Sequence, residues 1–535
     1  MSTVKWVCDS KYIVLPVSHQ AVDKCLKFTH NGKLVYDLAI GLDNYHPDFY
    51  AYVNMERFRG LELEASCVPD IRFEIRKADT CGDSSIYTEK YRPGFHFSSK
   101  RGWLNDPNGL VYYKGIYHMF YQHNPVGCKW GNMHWGHAQS RDLVHWKELD
   151  IKLYPDALGT MFSGSAIMDF QNITGFKKGE EDPILLYYTS AGDSSETSKG
   201  KPYTQCLAYS CDGGKTFAKY AKNPIIPELA KGNRDPKVIR HESGRYIMAL
   251  YLDKNRFALL SSDNLLDFRV IQEIDIENES ECPDFFPLPL DGDPEKTKWV
   301  LIGASEKYLV GSFDGQVFTK ETGVQSLHYG KNSYAGQSWS DTDPRDGRRL
   351  RITWNNGSIP SMPFNMAMTF PTELKLKTTP YGMRLFCWPV REIEKLYEGT
   401  QSYTGSPINP AHKASFPLEG RAYDIKAQLH HEEDGVLTLS LLGLTLSLDS
   451  GANRLRCLDS DAPLMSENGH INLRLLVDST SVEIYVNEGQ VFLSNGFVAD
   501  YNINRLEVEA LSGSAVLESL VITRLKNIWT EEKKA

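Results

Sequence analysis

Ser140–Trp146 reads SRDLVHW, and three later stretches repeat its outline: SCDGGKTF at Ser210–Phe217, SSDNLLDF at Ser261–Phe268 and GSFDGQVF at Gly311–Phe318. Each carries a serine, then an aspartate, then a closing aromatic residue. Each follows an apolar strand such as HWGHAQS or QCLAYS. The starts at 140, 210, 261 and 311 lie 70, 51 and 50 residues apart, the size of a four-stranded propeller blade. A hairpin turn recurring at one place in successive blades accounts for the repeated aspartate. S-x-D turns occur in β proteins of every kind, so the regular spacing carries the argument. With a further blade around Tyr334 to Phe370, about five blades fit.

Outward from this repeat the chain stays β. Residues 1–90 read as a small antiparallel module, with strands at Tyr12–Val17, Lys33–Leu42, Asp48–Met55 and Asp70–Lys77. The polar run ADTCGDSSIYTEKYRPG then reads as a linker, and residues 91–397 as the propeller. A second Ser/Thr/Gly/Pro-rich boundary, EGTQSYTGSPINPAHKA (Glu398 to Ala414), opens residues 398–535. There VLTLSLLGLTLSLDS and INLRLLVDSTSVEIYVNEG alternate as the strands of a β-sandwich. The fold class is all-β: N-terminal module, five-bladed propeller, C-terminal sandwich.

Composition narrows the function. The net charge of -9 is spread along the chain and no Lys/Arg run stands out, so nucleic acid is not an expected partner. No apolar run approaches the ~20 residues that span a bilayer, so no membrane association is expected. The first residues, MSTVKWVCDSKYIVLPVSH, lack the succession of a secretion signal. The ten cysteines form no C-x-x-C pair, so no zinc or redox site is expected. Together these favour a cytoplasmic, reducing location, or secretion if a leader has been removed. A homo-oligomer is compatible with the sequence.

The most unusual stretch runs from Phe95 to Gly136: FHFSSKRGWLNDPNGLVYYKGIYHMFYQHNPVGCKWGNMHWG. Aromatic residues, His, Asn and Gln crowd positions that a core strand fills with Val, Ile and Leu. A polar pocket with aromatic walls, built from strand ends and turns, has this composition. Three carboxylates sit in unusual company: Asp106 in WLNDPNG, Asp235 in NRDPKVI and Glu281 in SECPDFF. Asp-Pro also starts turns, so Asp106 and Asp235 each have a structural reading. Glu281, beside Cys282, Pro283 and the Phe285–Phe286 pair, is poorly placed for a solvated face. Partial burial there would raise its pKa, as a proton donor requires. A glycosidase needs two carboxyl groups flanking the scissile bond, and a propeller gathers residues from separate blades at one end of its channel. The serine-hydrolase, P-loop and dinucleotide fingerprints are absent.

Taken together, WLNDPNG, YQHNP (Tyr121 to Pro125), WGNMHWGHA (Trp130 to Ala138), FSGS (Phe162 to Ser165), RDP (Arg234 to Pro236) and EC (Glu281, Cys282) resemble glycoside hydrolase family 32, the fructan hydrolases and invertases. The resemblance covers about residues 91–535 and includes VDSTSVEIYVNEG. The N-terminal module resembles the extra β module of some bacterial fructan-degrading members. Family membership implies a five-bladed propeller plus β-sandwich and retaining hydrolysis of β-fructofuranosides. It implies Asp106 as nucleophile, Glu281 as acid/base, and Asp235 with Arg234 as the grip on fructose hydroxyls at the transition state. Asn105, Gln122, Trp130 and Ser163 match positions lining the fructose subsite, and Phe162 forms part of its wall. Cys282 is expected to tune Glu281 by packing. No metal and no cofactor is implied, since protonation activates an acetal carbon.

One segment departs from the family. Where many members carry W-R-G-A-M-S-x-P-R-E-L, this chain has Phe364 and Asn365 for Trp-Arg and Thr372 for the second Arg, which puts unusual subsites beyond the fructose pocket in prospect. The expected substrate is a fructose-containing oligo- or polysaccharide of levan or inulin type, or sucrose. A sucrose-specific invertase, a fructosyltransferase and, more remotely, an arabinan- or xylan-cleaving propeller enzyme are the rival enzyme readings. A silent fructan-binding protein would need a lost carboxylate, and all three are present.

Overall fold

The structure, a computed structural model, describes residues 3–69, 75–432, 434–466 and 468–530. Among these, the helical segments are short 3-10 turns, the longest Arg391–Leu396. No helix among the described residues is long and apolar enough to cross a membrane.

Five blades of antiparallel strands follow one another from Gly102 to Pro389, the fourth and fifth merged into one ten-stranded sheet through the parallel pair of Leu290 and Leu376. Their first strands are Gly102–Tyr113, Thr160–Met168, Arg234–Arg240, Asp284–Leu290 and Tyr334–Ser338. Each packs against the first strand of the next, and the fifth against the first, so a ring closes around a central channel. Ring closure is non-covalent. Tyr112 N–H donates to the Ser340 carbonyl at 3.1 Å and Ser340 N–H to the Leu110 carbonyl at 2.9 Å. Phe364–Asn365 adds to the first sheet in parallel, pairing with Gly102 and Trp103.

The repeated serine-aspartate stretches are the turns between third and fourth strands of blades one to four. Asp142 accepts from the backbone of Val144 and His145, Asp212 from Lys215 and Thr216, and Asp314 from Gln316 and Val317. In the third blade Asn264 does this work, accepting from Leu266 and Asp267, so the repeat is S-x-[DN] and Asp263 is not its acceptor. The fifth blade ends beyond Phe370, with strands Thr372–Thr379 and Gly382–Pro389 turning at Thr379–Gly382. Its turn lacks the motif, which is why the echo stops at four.

The N-terminal strands form a four-stranded and a three-stranded sheet around their own core of Leu15, Leu26, Phe28, Leu38 and Leu63. Of the strand expected at Asp70–Lys77, residues 70–74 lie outside the described residues, and Arg76–Ala78 is strand. The expected linker that follows is pinned rather than loose. Tyr87 stacks on Trp529 at 4.1 Å, and the buried Arg92 guanidinium binds Glu89 and the Ser99 carbonyl. The second Ser/Thr/Gly/Pro-rich stretch opens the sandwich as a strand: Tyr397–Ile408 is twelve residues long and paired along its length with Ala515–Leu525. Its Ser, Thr and Gly residues reflect an exposed edge strand, not a loop. Two six-stranded sheets then sandwich a Leu/Ile/Val core.

VDSTSVE in the sandwich joins it to the propeller. Asp478 accepts from the backbone N–H of Gly94, Phe95, His96 and Ser479 and from His96 Nδ1 at 2.8 Å. Glu483 takes His96 Nε2 at 3.2 Å, Phe370 N–H at 2.8 Å and the Tyr485 hydroxyl at 2.5 Å. Burial alone would lower the His96 pKa, but the two carboxylates outweigh it and push it up to about 9.

Candidate active site

The site begins with a local rule of the first strands. Each blade-opening strand that carries a motif breaks its pairing register at that motif: Leu104/Pro107 in the first blade, Met161/Gly164 in the second, Arg234/Lys237 in the third. A bulge bends the strand and re-aims a side chain. Asp106-Pro107 therefore does not start a turn: Asp106 lies inside Gly102–Tyr113, on its bulge. The glycines serve the same geometry. A Cβ on Gly109 (φ +53°) would stand 2.7 Å from the Phe120 ring, and one on Gly164 1.9 Å from the Tyr187 carbonyl oxygen.

The bulges and the loop before the fourth blade turn their side chains into one cavity of about 230 Å³. It is lined by Asn105, Asp106, Gln122, Trp130, Phe162, Ser163, Arg234, Asp235 and Glu281, and also by Tyr334 and Trp354. All nine residues expected from the sequence therefore meet at one place. Two of them, and the neighbour of the second, hold left-handed backbone: Asp235 (φ +67°), Glu281 (φ +54°) and Cys282 (φ +38°). Such strain in non-glycine residues is held only by surrounding structure and collects at functional sites. Here Asp235 N–H donates to Thr189 Oγ1 at 2.9 Å, and Thr189 donates on to Gln205. Cys282 N–H donates to Asp235 Oδ2 at 3.0 Å.

Asp106 Oδ2 accepts from Ser163 Oγ at 2.5 Å, and Ser163 is itself held by Gln122 Nε2 at 3.2 Å. Asn105 is oriented by Trp103 Nε1 at 2.8 Å. Burial raises the Asp106 pKa, Ser163 and Asn105 pull it back, and the Glu281 charge adds to the rise. Asp235 is pushed up to about 7, by burial first and then by Glu281 and Asp106, with Arg234 opposing. Both Glu281 oxygens are engaged: Oε1 by Arg234 Nη2 at 2.5 Å and Oε2 by the Tyr334 hydroxyl at 2.6 Å. The Glu281 side chain is 32% exposed, so it sits at the mouth while Asp235 lies at the base, 5% exposed. Arg234 also donates to the Gly232 carbonyl and lies over the Tyr251 ring, 4.7 Å from its centre.

Two residues were missed and one reassigned. Tyr334 and Trp354 come from the fifth blade, whose strands carry no signature for this site beyond aromatic content. Cys282 points to Asp106 and Asp235 (Sγ to Oδ2, 3.6 and 3.4 Å) rather than packing to tune Glu281. Burial and these acids raise its thiol pKa far above the ordinary value, so it is inert. Trp130, 57% exposed, meets Phe162 edge-on at 5.7 Å and forms the outer wall. Phe364 and Asn365 do not line the cavity. Phe364 is buried beneath the Arg92 guanidinium, 3.4 Å from its ring centre, and Asn365 binds backbone at Ile359, Met366 and Cys128.

Comparison with known proteins bears on the chemistry. The model of the glycosyl hydrolases family 32 N-terminal domain matches residues 96–389, and that of the family's C-terminal domain matches 443–524. The chain belongs to glycosyl hydrolase family 32. A levanase of Bacillus subtilis (strain 168) is 35% identical over 500 residues, covering 84% of this chain and 72% of that protein. An extracellular exo-inulinase of Aspergillus ficuum is 30% identical over 483 residues, covering 76% and 89%. Among solved structures, exo-inulinase from Aspergillus awamori superposes with a TM-score of 0.74 at 25% identity, covering 83% of this chain and 100% of that one. The family 32 models leave out residues 3–78, which hold the N-terminal sheets. Membership makes the chain a glycosidase, and residues of its family 32 motifs line the cavity.

Proposed function

We propose that this family 32 enzyme is a retaining, exo-acting β-fructosidase that releases terminal fructose from fructans of levan or inulin type and from sucrose. The observation that carries the reading is the convergence of Asp106, Asp235 and Glu281, from three separate blades, on one small pocket walled by Trp130 and Phe162. A pocket of this size takes a chain end, where an open cleft would take a chain interior.

In this reading the Asp106 carboxylate attacks the anomeric carbon. The bond to the leaving oxygen breaks as Glu281 donates its proton to it. Water then attacks the fructosyl-enzyme ester. Glu281 takes the water proton, and the Asp106 carboxylate leaves with the electron pair of the broken bond. Asp235 and Arg234 hold the fructose hydroxyls through the oxocarbenium-like state. Glu281 suits the acid/base role because it sits at the mouth, where the leaving group departs and water arrives. Ser163 and Asn105 suit Asp106 to attack, since their hydrogen bonds oppose the rise that burial imposes. The names of the relatives, a levanase and exo-inulinases, support the substrate class. The ten free cysteines fit a reducing compartment.

Product analysis on levan, inulin, kestose and sucrose in parallel tests the proposal. Free fructose as the sole early product from the fructans supports it, whereas ladders of oligosaccharides overturn exo-action. Glu281→Ala should lose far more rate on natural substrates than on one with an activated leaving group; equal losses would remove Glu281 from the acid role.

A further inference from the structure

The C-terminal sandwich carries a second cluster of chemistry-bearing side chains, away from the pocket. His430, His470 and Glu518 present ligand atoms that all lie within 4.8 Å of one another. They come from three adjacent strands of one sheet, Tyr423–His431, His470–Val477 and Ala515–Leu525. His430 and His470 are direct cross-strand partners. Their rings stack at 4.3 Å between centroids and 13° between planes. Glu518 falls where the register shifts between Gln428 and Leu429, so it is the extra residue of a bulge. That bulge aims its carboxylate across His430 to His470, where Oε2 stands 3.3 Å from Nδ1.

We infer that these three residues form a divalent transition-metal site, with Zn²⁺ the best-suited ion. Two imidazole nitrogens and one carboxylate oxygen are the ligand types zinc takes, with a fourth position left for water. Bonds of about 2.0–2.2 Å in a tetrahedron place neighbouring ligand atoms roughly 3.3–3.5 Å apart. The His470–Glu518 separation already has that value. His430 is half-buried and the other two are exposed, so side-chain rotation alone brings the third ligand in. Mg²⁺ and Ca²⁺ are disfavoured, because they prefer all-oxygen ligand sets.

The site would act as a staple. It ties three neighbouring strands at the end of the sheet where Tyr423–His431 finishes and His470–Val477 begins. The two histidines are 40 residues apart in the chain, and the intervening strands belong to the other sheet of the sandwich. A bound ion would therefore cross-link segments that otherwise hold together only through their ladders. None of the three residues lines the catalytic cavity, so hydrolysis should proceed without the ion.

The test is calorimetric titration of the full chain with ZnCl₂, with MgCl₂ as control, beside His430→Ala/His470→Ala and Glu518→Gln. The wild type is expected to bind one more Zn²⁺ equivalent than the double histidine variant. Glu518→Gln should weaken that equivalent by about tenfold or more. Zn²⁺ should raise the unfolding temperature of the wild type by a few degrees and leave the double variant unmoved. Co²⁺ should give tetrahedral visible bands that vanish with the histidines. Equal stoichiometry in wild type and double variant would overturn the site, as would no zinc binding at all. Comparable Mg²⁺ binding would overturn the assigned ion class.

Discussion

Two groups of buried acids divide the labour in this molecule. At the propeller–sandwich seam, Asp478 collects four backbone N–H groups and a histidine ring. Burial works to raise its pKa, but His96 and those donors outweigh it, and the net shift is downward. In the cavity, Asp235 is buried and Asp106 half-buried, both have fewer donors, and burial wins: both rise. The first group is saturated and structural. The second keeps lone pairs facing a pocket, at strained backbone, with other acids close by. What separates them is donor supply, which residue type does not reveal.

The sharpest way to break this contrast is Asp106→Asn. It should cost about 10⁴-fold or more in kcat with an unchanged circular dichroism spectrum and melting temperature. Retained turnover would return Asp106 to a structural role. Asp235→Asn should cost less, on the order of 10²–10³-fold in kcat, because it removes transition-state grip and not the attacking group. A similar kcat with a lowered melting temperature would instead make it a fold residue.

Asp478→Asn should do the opposite of both, lowering stability by about 3–5 kcal/mol in chemical denaturation while kcat of the folded fraction stays near wild type. The smallest effect is its pH signature. The His96 pKa is raised, so its contribution is complete below pH 6.5, the ordinary value, and lost as pH rises through about 9. The shift corresponds to on the order of 3 kcal/mol. Asp478, held low, contributes above its ordinary 3.8 and loses that contribution as pH falls below it. The His96–Asp478 contribution, read as the difference between wild type and Asp478→Asn, should therefore be flat between about pH 4 and 6.5 and decline toward 9, on top of the fall between about pH 4 and 7 that the raised Asp235 imposes on both proteins. A wild-type curve level from pH 6 to 10 would contradict the charged His96.

Much of this was legible in the chain. The turn repeat announced the blades because an Asx-type acceptor two residues after serine solves the same hairpin each time, and its chemistry is local. The nine pocket residues were legible through short motifs that resemble family 32, three of which set a functional side chain at a strand bulge. Tyr397–Ile408 was not legible, because an exposed edge strand shares its composition with a loop. Tyr334 and Trp354 were not, because a lone aromatic residue in a strand reads as core. Nor did VDSTSVE announce an interface, since Asp478 finds its donors in Gly94, Phe95 and His96, more than 380 residues earlier.

By itself, then, the sequence determined the all-β class and the blade count, since periodicity and turn chemistry act over a few residues, and the resemblance of its motifs to family 32 named the pocket residues. Only the tertiary structure decided which acids are pinned and which are left for chemistry. It also decided that Glu281 is gripped by Arg234 and Tyr334 at the mouth, and that Phe364 and Asn365 pair with the first blade outside the cavity. Those outcomes depend on donors, charges and burial supplied by segments distant in the chain, and only the folded ring brings them within hydrogen-bonding range.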